Sequence, residues 1–504
     1  MNHYTVPSEI NINEIKNKDF SFSPAMYKKV IFKTKNIIKI KDVLNSVEPF
    51  DKGKEPGRFW YMKKSPYYMI RTKSLQDFSC LLYPKGDSVI PINQKVFKSA
   101  LLKTGDILLS KDSNIGEVCI IENNNYTNYM FSSGIVKLNI DETKINRYYL
   151  FSFLKHSILK LQLYALSPKG ATITHAGTKW MDCYIPLPVG ETSKLVEKYV
   201  VALTKAIVNK EQKIREKSEK INSIIDIQLL NNQKSNQFVY REPNIKEFKN
   251  IKRMDSAIYG KEYKSRIFKI ENYSFGFNTP TELGFTVIPG PSLEIKLLKT
   301  RLDSDVYKKG FYSLILPTNI SEYGTMNKIS YLGTARKLPL LKQGDIIFGE
   351  AGFQKGRSIV LLEGIDNCTT NAHGLYARRD DRDIKKSIFF RCIFNWYRKE
   401  SLIDLMAVGG SGGHFSPEYF DNIKIPKFPD DIVNEICDLY HSNKEKDTTT
   451  LTLDNFVKWH DEWNESLGIW ELDREMKKLQ AKLTDIQDKI IKGEDISKES
   501  IIIN

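Results

Sequence analysis

Apolar positions along this chain change their spacing twice, and in the same order each time. Short runs rich in β-branched residues come first: residues 37–44 (IIKIKDVL), 105–110 (GDILLS) and 116–121 (GEVCII). Gly-Asp and Asn turns separate them, as expected of strands. Their later counterparts are 267–272 (IFKIEN), 344–350 (GDIIFGE) and 358–363 (SIVLLE), also read as strands. A helical pattern follows each set, RYYLFSFLKHSILKLQL at 147–163 and IKKSIFFRCIFNWYRKE at 384–400. After Pro188 the spacing alternates four and three through Val196, Val200, Leu203, Ile207, Lys210, Ile214, Lys217, Ile221, Ile224 and Gln228, which is a heptad seam. No Pro or Gly interrupts 191–240, and one helix from Ser193 to Gln228, about 50 Å long, is predicted. A second seam starts at Ile432, Ile436 and Leu439 and resumes at Leu472, Met476, Leu479, Leu483, Ile486 and Ile490. Two such stripes need cover, so the helices are expected to pack antiparallel on each other. The interruption at 444–468 carries Phe456, Trp459 and Trp463 at helical spacing and suggests an extra helical hairpin.

The recurrence extends to residue identities. Leu101-Leu102-Lys103-Thr104-Gly105-Asp106-Ile107-Leu108 returns as Leu340-Leu341-Lys342-Gln343-Gly344-Asp345-Ile346-Ile347, an offset of 344 − 105 = 239. Gly116 and Gly356, Gly134 and Gly374, and Ile185-Pro186 and Ile425-Pro426 repeat at 240. Agreement at nearly one offset marks an internal duplication. The fold expected is α+β: two pseudo-repeated mixed α/β domains separated by long antiparallel heptad helices. The boundaries read as an N-terminal arm at 1–20, a first domain at 21–190, a central helix and linker at 191–240, a second domain at 241–429 and a helical region at 430–504.

Composition narrows the partner. The 504 residues are 41% hydrophobic with a net charge of +15, which fits a folded protein meeting an anionic surface, nucleic acid foremost. No apolar run approaches the ~20 residues of a membrane helix. The N-terminus has no basic-then-apolar leader pattern. The six cysteines form no CxxC or zinc-ligand spacing and read as reduced thiols in a cytoplasmic protein.

This order of elements resembles the specificity subunit of type I restriction-modification systems. It rests on the duplicated Gly-Asp-Ile strand-turn, the Gly-rich loop ending at Ile185-Pro186-Leu187-Pro188 or Ile425-Pro426-Lys427-Phe428-Pro429, and the heptad helix after each. The segment 444–468 departs from that pattern. The resemblance implies a non-catalytic chain that binds double-stranded DNA and joins two methyltransferase subunits. ATP-driven restriction subunits would complete the enzyme. S-adenosylmethionine, ATP and Mg²⁺ would belong to those partners, with no cofactor here.

Two unlike readers on a stiff spacer predict a split target of two short half-sites around an unspecified gap. Candidate readers in the first copy are Lys111, Asn114, Ser132 and Ser133 in the turns, and Lys169, Thr172, Thr174 and His175 in the Gly-bearing loop. The second copy offers Lys355, Arg357, Asn371, His373, Ser411 and His414. Lys and Arg suit phosphates, whereas Ser, Thr, Asn and His supply hydrogen bonds to base edges or backbone. GGSGGHF lacks the Walker spacing, and no Asn-Pro-Pro-aromatic methyltransferase motif occurs. An alternative is a metal-dependent nuclease using Glu282, Glu294 and Lys296. A third is an assembly scaffold whose charge serves solubility.

Overall fold

The computed structural model describes residues 4–501 apart from 6, 18, 19, 21, 23, 124, 167–174, 353, 354, 364, 365 and 410–412. Two compact units form: residues 1–213 with 445–465 and 474–504, and residues 214–444 with 466–473.

In the first unit, Phe50–Lys52 (β1), Ile107–Ser110 (β2), Val118–Ile120 (β3) and Ile135–Leu138 (β4) build an antiparallel sheet in the order β1-β4-β2-β3. Val136 lies opposite both Leu109 and Lys52. A second small sheet pairs Tyr68–Ile70 with Val89–Pro91, and in parallel with Tyr129–Phe131. The second unit repeats the plan. Phe285–Ile288 (β5), Ile346–Gly349 (β6), Ser358–Val360 (β7) and Gly374–Arg379 (β8) take the order β5-β8-β6-β7. Its second sheet again contains one parallel pair, Tyr312–Ile315 with Cys368–Thr370.

The Gly-Asp turns explain why the sheets start alike. Gly105 and Gly344 have φ of 88° and 84°, open to glycine at no steric cost. Each following carboxylate then accepts from the backbone three residues back: Asp106 from the Lys103 amide and Asp345 from the Lys342 amide, both at 2.8 Å.

Three expectations are corrected. Residues 267–272 are not a strand but the end and C-cap of the helix Lys261–Glu271, with Tyr263, Ile267 and Ile270 buried at helical spacing. The true counterpart of strand Ile37–Lys39, which pairs with Tyr184–Pro186, is Phe277–Asn278, which pairs with Ile425–Pro426. The pattern at 147–163 divides into Arg147–Lys155 and Ser157–Leu166, because His156 is extended and its Nδ1 accepts from the Ile158 amide. Finally, the segment 444–468 holds one helix rather than a hairpin.

The helix Ser193–Asn231 (α1) is about 58 Å long and contributes residues to both units. Within the first unit Val196, Val200, Leu203 and Ile207 are buried in one core with Leu479, Ile486 and Ile490. These three belong to the C-terminal helix. The inserted helix is Phe456–Ser466 (α2) and the C-terminal helix is Ile469–Lys492 (α3). Thr192 donates to the Ile496 carbonyl, Tyr199 feels Asp485 and Lys210 feels Glu475, so α1 and α3 run antiparallel there. Beyond Ile221 the buried stripe steps to Ile225 and Leu229 instead of Ile224 and Gln228. A straight helix at 3.6 residues per turn drifts off a 3.5 repeat in this way. In the second unit Trp396 anchors this end of α1 by donating to Asp226 at 2.8 Å.

Helix α2 docks on α1 through Phe456, Trp459, His460 and Asn464, all buried. Lys210 is fully buried there and donates to Asn464 Oδ1 at 2.6 Å, beneath the Trp463 ring. Burial, with Lys210, Lys482 and Lys446 nearby, pushes the His460 imidazole down to about 3. Between that value and the ordinary 6.5 the unfolded chain binds a proton the folded chain refuses, so stability falls as pH drops. At pH 5 this penalty is about 2 kcal/mol. His460→Phe should remove it, and urea unfolding at pH 7 and pH 5 reads the difference. Equal acid losses in both proteins would exclude a buried neutral His460.

Candidate nucleic-acid interface

In the first unit the chain leaving β2 turns through 111–116 and meets the segment before β4 and the end of the Gly-bearing loop. The Lys111 amide donates to the Gly134 carbonyl at 2.9 Å, and the Ala176 amide donates to the Lys111 carbonyl at 2.8 Å. Asp112 and His175 face each other across an isolated antiparallel bridge. The second unit makes the same bonds 239 residues on. The Glu350 amide donates to the His373 carbonyl at 3.0 Å, the Phe415 amide to the Glu350 carbonyl at 2.9 Å, and Ala351 bridges His414.

The side chains on these two matching corners differ. In the first, His175 Nδ1 lies 2.8 Å from Asp112 Oδ1 and Lys111 Nζ lies 2.9 Å from Asp112 Oδ2. Burial opposes the Asp112 charge, but the Lys111 and His175 hydrogen bonds outweigh it and hold the carboxyl below the ordinary range. In the second, Ala351 replaces the acid, His414 Nδ1 is 3.7 Å from Glu350, and Lys355 pairs with Asp404 at 2.8 Å.

Several predicted readers spend their donors inside the protein. Lys111 and Lys355 side chains are each only 13% exposed in their ion pairs. The Asn114 amide donates to the Thr72 and Leu75 carbonyls, both at 3.0 Å, and Arg357 donates to the Ile320 carbonyl at 3.0 Å. Ser132 is buried, its amide donating to Ile70. His175, His373 and His414 are exposed, whereas Ser133 and Asn371 are half-buried. Lys169, Thr172, Thr174 and Ser411 lie outside the described residues.

The sequence reading missed Asp112, Glu350 and two glycines. A Cβ on Gly53 would sit 2.0 Å from the Ser132 carbonyl oxygen, and one on Gly290 would sit 2.0 Å from that of Asn371. The edge strand can reach the corner only because these positions are glycine. The available signal was a Gly pair at nearly the repeat offset, Lys-Gly-Lys against Pro-Gly-Pro.

Residues 33–217 match the family model described as the type I restriction modification DNA specificity domain. That stretch of the chain carries a type I specificity domain. A specificity subunit recognises the DNA target and is not itself an enzyme. The S subunit of the type I system from M. genitalium is similar at 14% identity over 92% of this chain and 98% of that chain, with a TM-score of 0.34. The HsdS subunit from Thermoanaerobacter tengcongensis is similar at 11% identity over 91% and 96%, with a TM-score of 0.27. No protein of curated function matches. By its description the matched domain is one that specifies DNA.

The nuclease alternative is not supported. Glu282 accepts from the Thr279 amide at 2.8 Å, and Glu294 pairs with Lys296 at 2.9 Å on a one-turn helix, not a strand. Among the described residues no group of three or more His, Cys, Asp or Glu side chains is placed to hold a metal, and no helix is long and apolar enough to cross a membrane.

Ala at Gly53 or at Gly290 should lower stability by ~1–3 kcal/mol through overpacking and weaken DNA binding. Gly57 has nothing within 4 Å of a Cβ, so Gly57→Ala is the neutral control. Thermal unfolding compares them; a Gly53→Ala protein melting like the control would contradict the close approach.

Proposed function

We propose that this specificity subunit reads a split duplex target, one half-site at each corner, and directs adenine methylation and restriction by its partner subunits. The recognition domains are residues 21–190 and 241–429. One observation carries the reading: the same backbone corner occurs twice, dressed with different side chains. His175 with Ser133 reads from one corner, and Asn371, His373 and His414 read from the other. Lys111, Asn114, Lys355, Arg357 and Ser132 position those groups, and Lys169, Thr172, Thr174 and Ser411 add hydrogen bonds from the loops. Base contacts of this kind specify sequence, while phosphate contacts set register.

Helix α1, stiffened over its first half by α2 and α3, sets the gap between half-sites, since each ~34 Å spans one duplex turn. Two methyltransferase subunits bind the chain, supplying S-adenosylmethionine chemistry, and ATP-dependent restriction subunits complete the enzyme in the cytoplasm.

Exchange of residues 21–190 for the matching domain of another specificity subunit is the decisive experiment. Methylome sequencing should then show one half-site altered, the other kept and the gap length unchanged. Alteration of both half-sites, or of neither, would exclude a separate reader in each domain.

A further inference from the structure

Beside the first corner runs a segment to which no role has been assigned. Residues 52–64 leave β1 directly at the close approach of Gly53, where the Gly53 amide donates to the Ile135 carbonyl at 3.2 Å and the Lys54 amide to the Phe131 carbonyl at 3.0 Å. The far end is held too. Tyr61 bridges Ile92, the Met62 amide donates to the Pro91 carbonyl at 2.9 Å, and the Asn93 amide donates to the Trp60 carbonyl at 3.0 Å. A backbone pinned at both ends keeps whatever its exposed side chains do in a fixed place.

Those side chains are unlike an ordinary solvated turn. Lys52, Lys54, Arg58, Lys63 and Lys64 are all exposed, and none forms an ion pair among the described residues. The one acid of the segment, Glu55, accepts from the Tyr61 hydroxyl at 2.8 Å, and the preceding Asp51 is paired with Lys137 at 2.8 Å. Phe59 stands at the tip, 88% exposed, on a single turn Arg58–Trp60, its ring edge-on to Trp60 at 5.4 Å. A phenylalanine at a pinned tip, in a segment with five unneutralised cations, suits an anionic surface with apolar recesses. A nucleic-acid groove is such a surface: phosphates on the rim, sugars and base edges within.

We propose that residues 52–64 are a second DNA-contacting arm of the first unit, with Arg58, Lys63 and Lys64 on phosphates beside the half-site and Phe59 pressed into the groove. This rests on the neighbouring corner being a DNA reader. Phosphate contacts carry no sequence information, so the arm adds affinity and leaves the choice of sequence to the corner.

The test uses the full chain assembled with its modification subunits, on a duplex carrying the methylated motif and on a random duplex of equal length. The triple variant Arg58→Gln, Lys63→Gln, Lys64→Gln should weaken both by roughly 10- to 100-fold at moderate salt and lower the slope of log K against log salt by about 2 to 3. Phe59→Ala should cost roughly tenfold, and the methylated motif should stay the same. All four side chains are exposed, so melting should not move. His175→Ala is the companion, expected to erode the preference for the motif. A triple variant that binds like the parent overturns the arm, whatever His175→Ala does. Loss in the triple variant with His175→Ala unchanged upholds the arm and removes the corner as reader. Should the triple variant fail to assemble with the modification subunits in the absence of DNA, the segment meets protein and the proposal is wrong.

Discussion

The Ala176 amide donates to Lys111 and the Phe415 amide donates to Glu350, and in each case only backbone atoms are involved. That choice of atoms has a large consequence. A corner held by main-chain bonds places no demand on the side chains of the residues that form it. Lys111-Asp112 can become Glu350-Ala351 without loss of the frame. The glycines at 53 and 290 are constrained in type, since a carbonyl oxygen occupies the place of their Cβ. A recognition surface that must change sequence preference while keeping its shape is well served by this division.

Charge is distributed in keeping with that division. At the first corner Lys111, Asp112 and His175 form one connected group, so the acid sets the position of both neighbours. At the second, Lys355 is drawn away to Asp404 and the histidine is left at 3.7 Å from Glu350. The two surfaces therefore offer different hydrogen-bonding patterns on one backbone. Direct readout in a groove depends on the pattern of donors and acceptors, so under the proposed reading unlike corners favour unlike bases.

Much of this was legible in the sequence, because duplication and periodicity are written in residue types. The Gly-Asp turns and the Ile-Pro strand ends kept their offset, and the seam at Val196 to Ile221 kept its buried face. What misled was local. Residues 267–272 contain β-branched positions that suit a strand, yet Tyr263 upstream completes a helical stripe. His156 carries no breaker's signature, and its capping role depends on the fold around it. Lysines in turns read as free cations, whereas their partners Asp112 and Asp404 lie one residue and 49 residues away and only the fold selects between pairing and exposure.

The inserted helix shows how a departure from a repeat is absorbed. α2 adds cover to α1 at Asn209 and Lys210, where the seam is polar and a simple two-helix pairing would leave a buried cation short of partners. Asn464 accepts from that lysine and Asp461 from Asn209, so the polar step in the heptad is matched by polar residues on the insertion rather than by a hydrophobic neighbour. A buried polar match of this sort contributes little net stability but penalises every other register, because a slip of one residue would strand a charge in the core. If α1 is the spacer between two readers, register is the property that matters most: a sliding seam would alter the distance and angle at which the two corners meet the duplex.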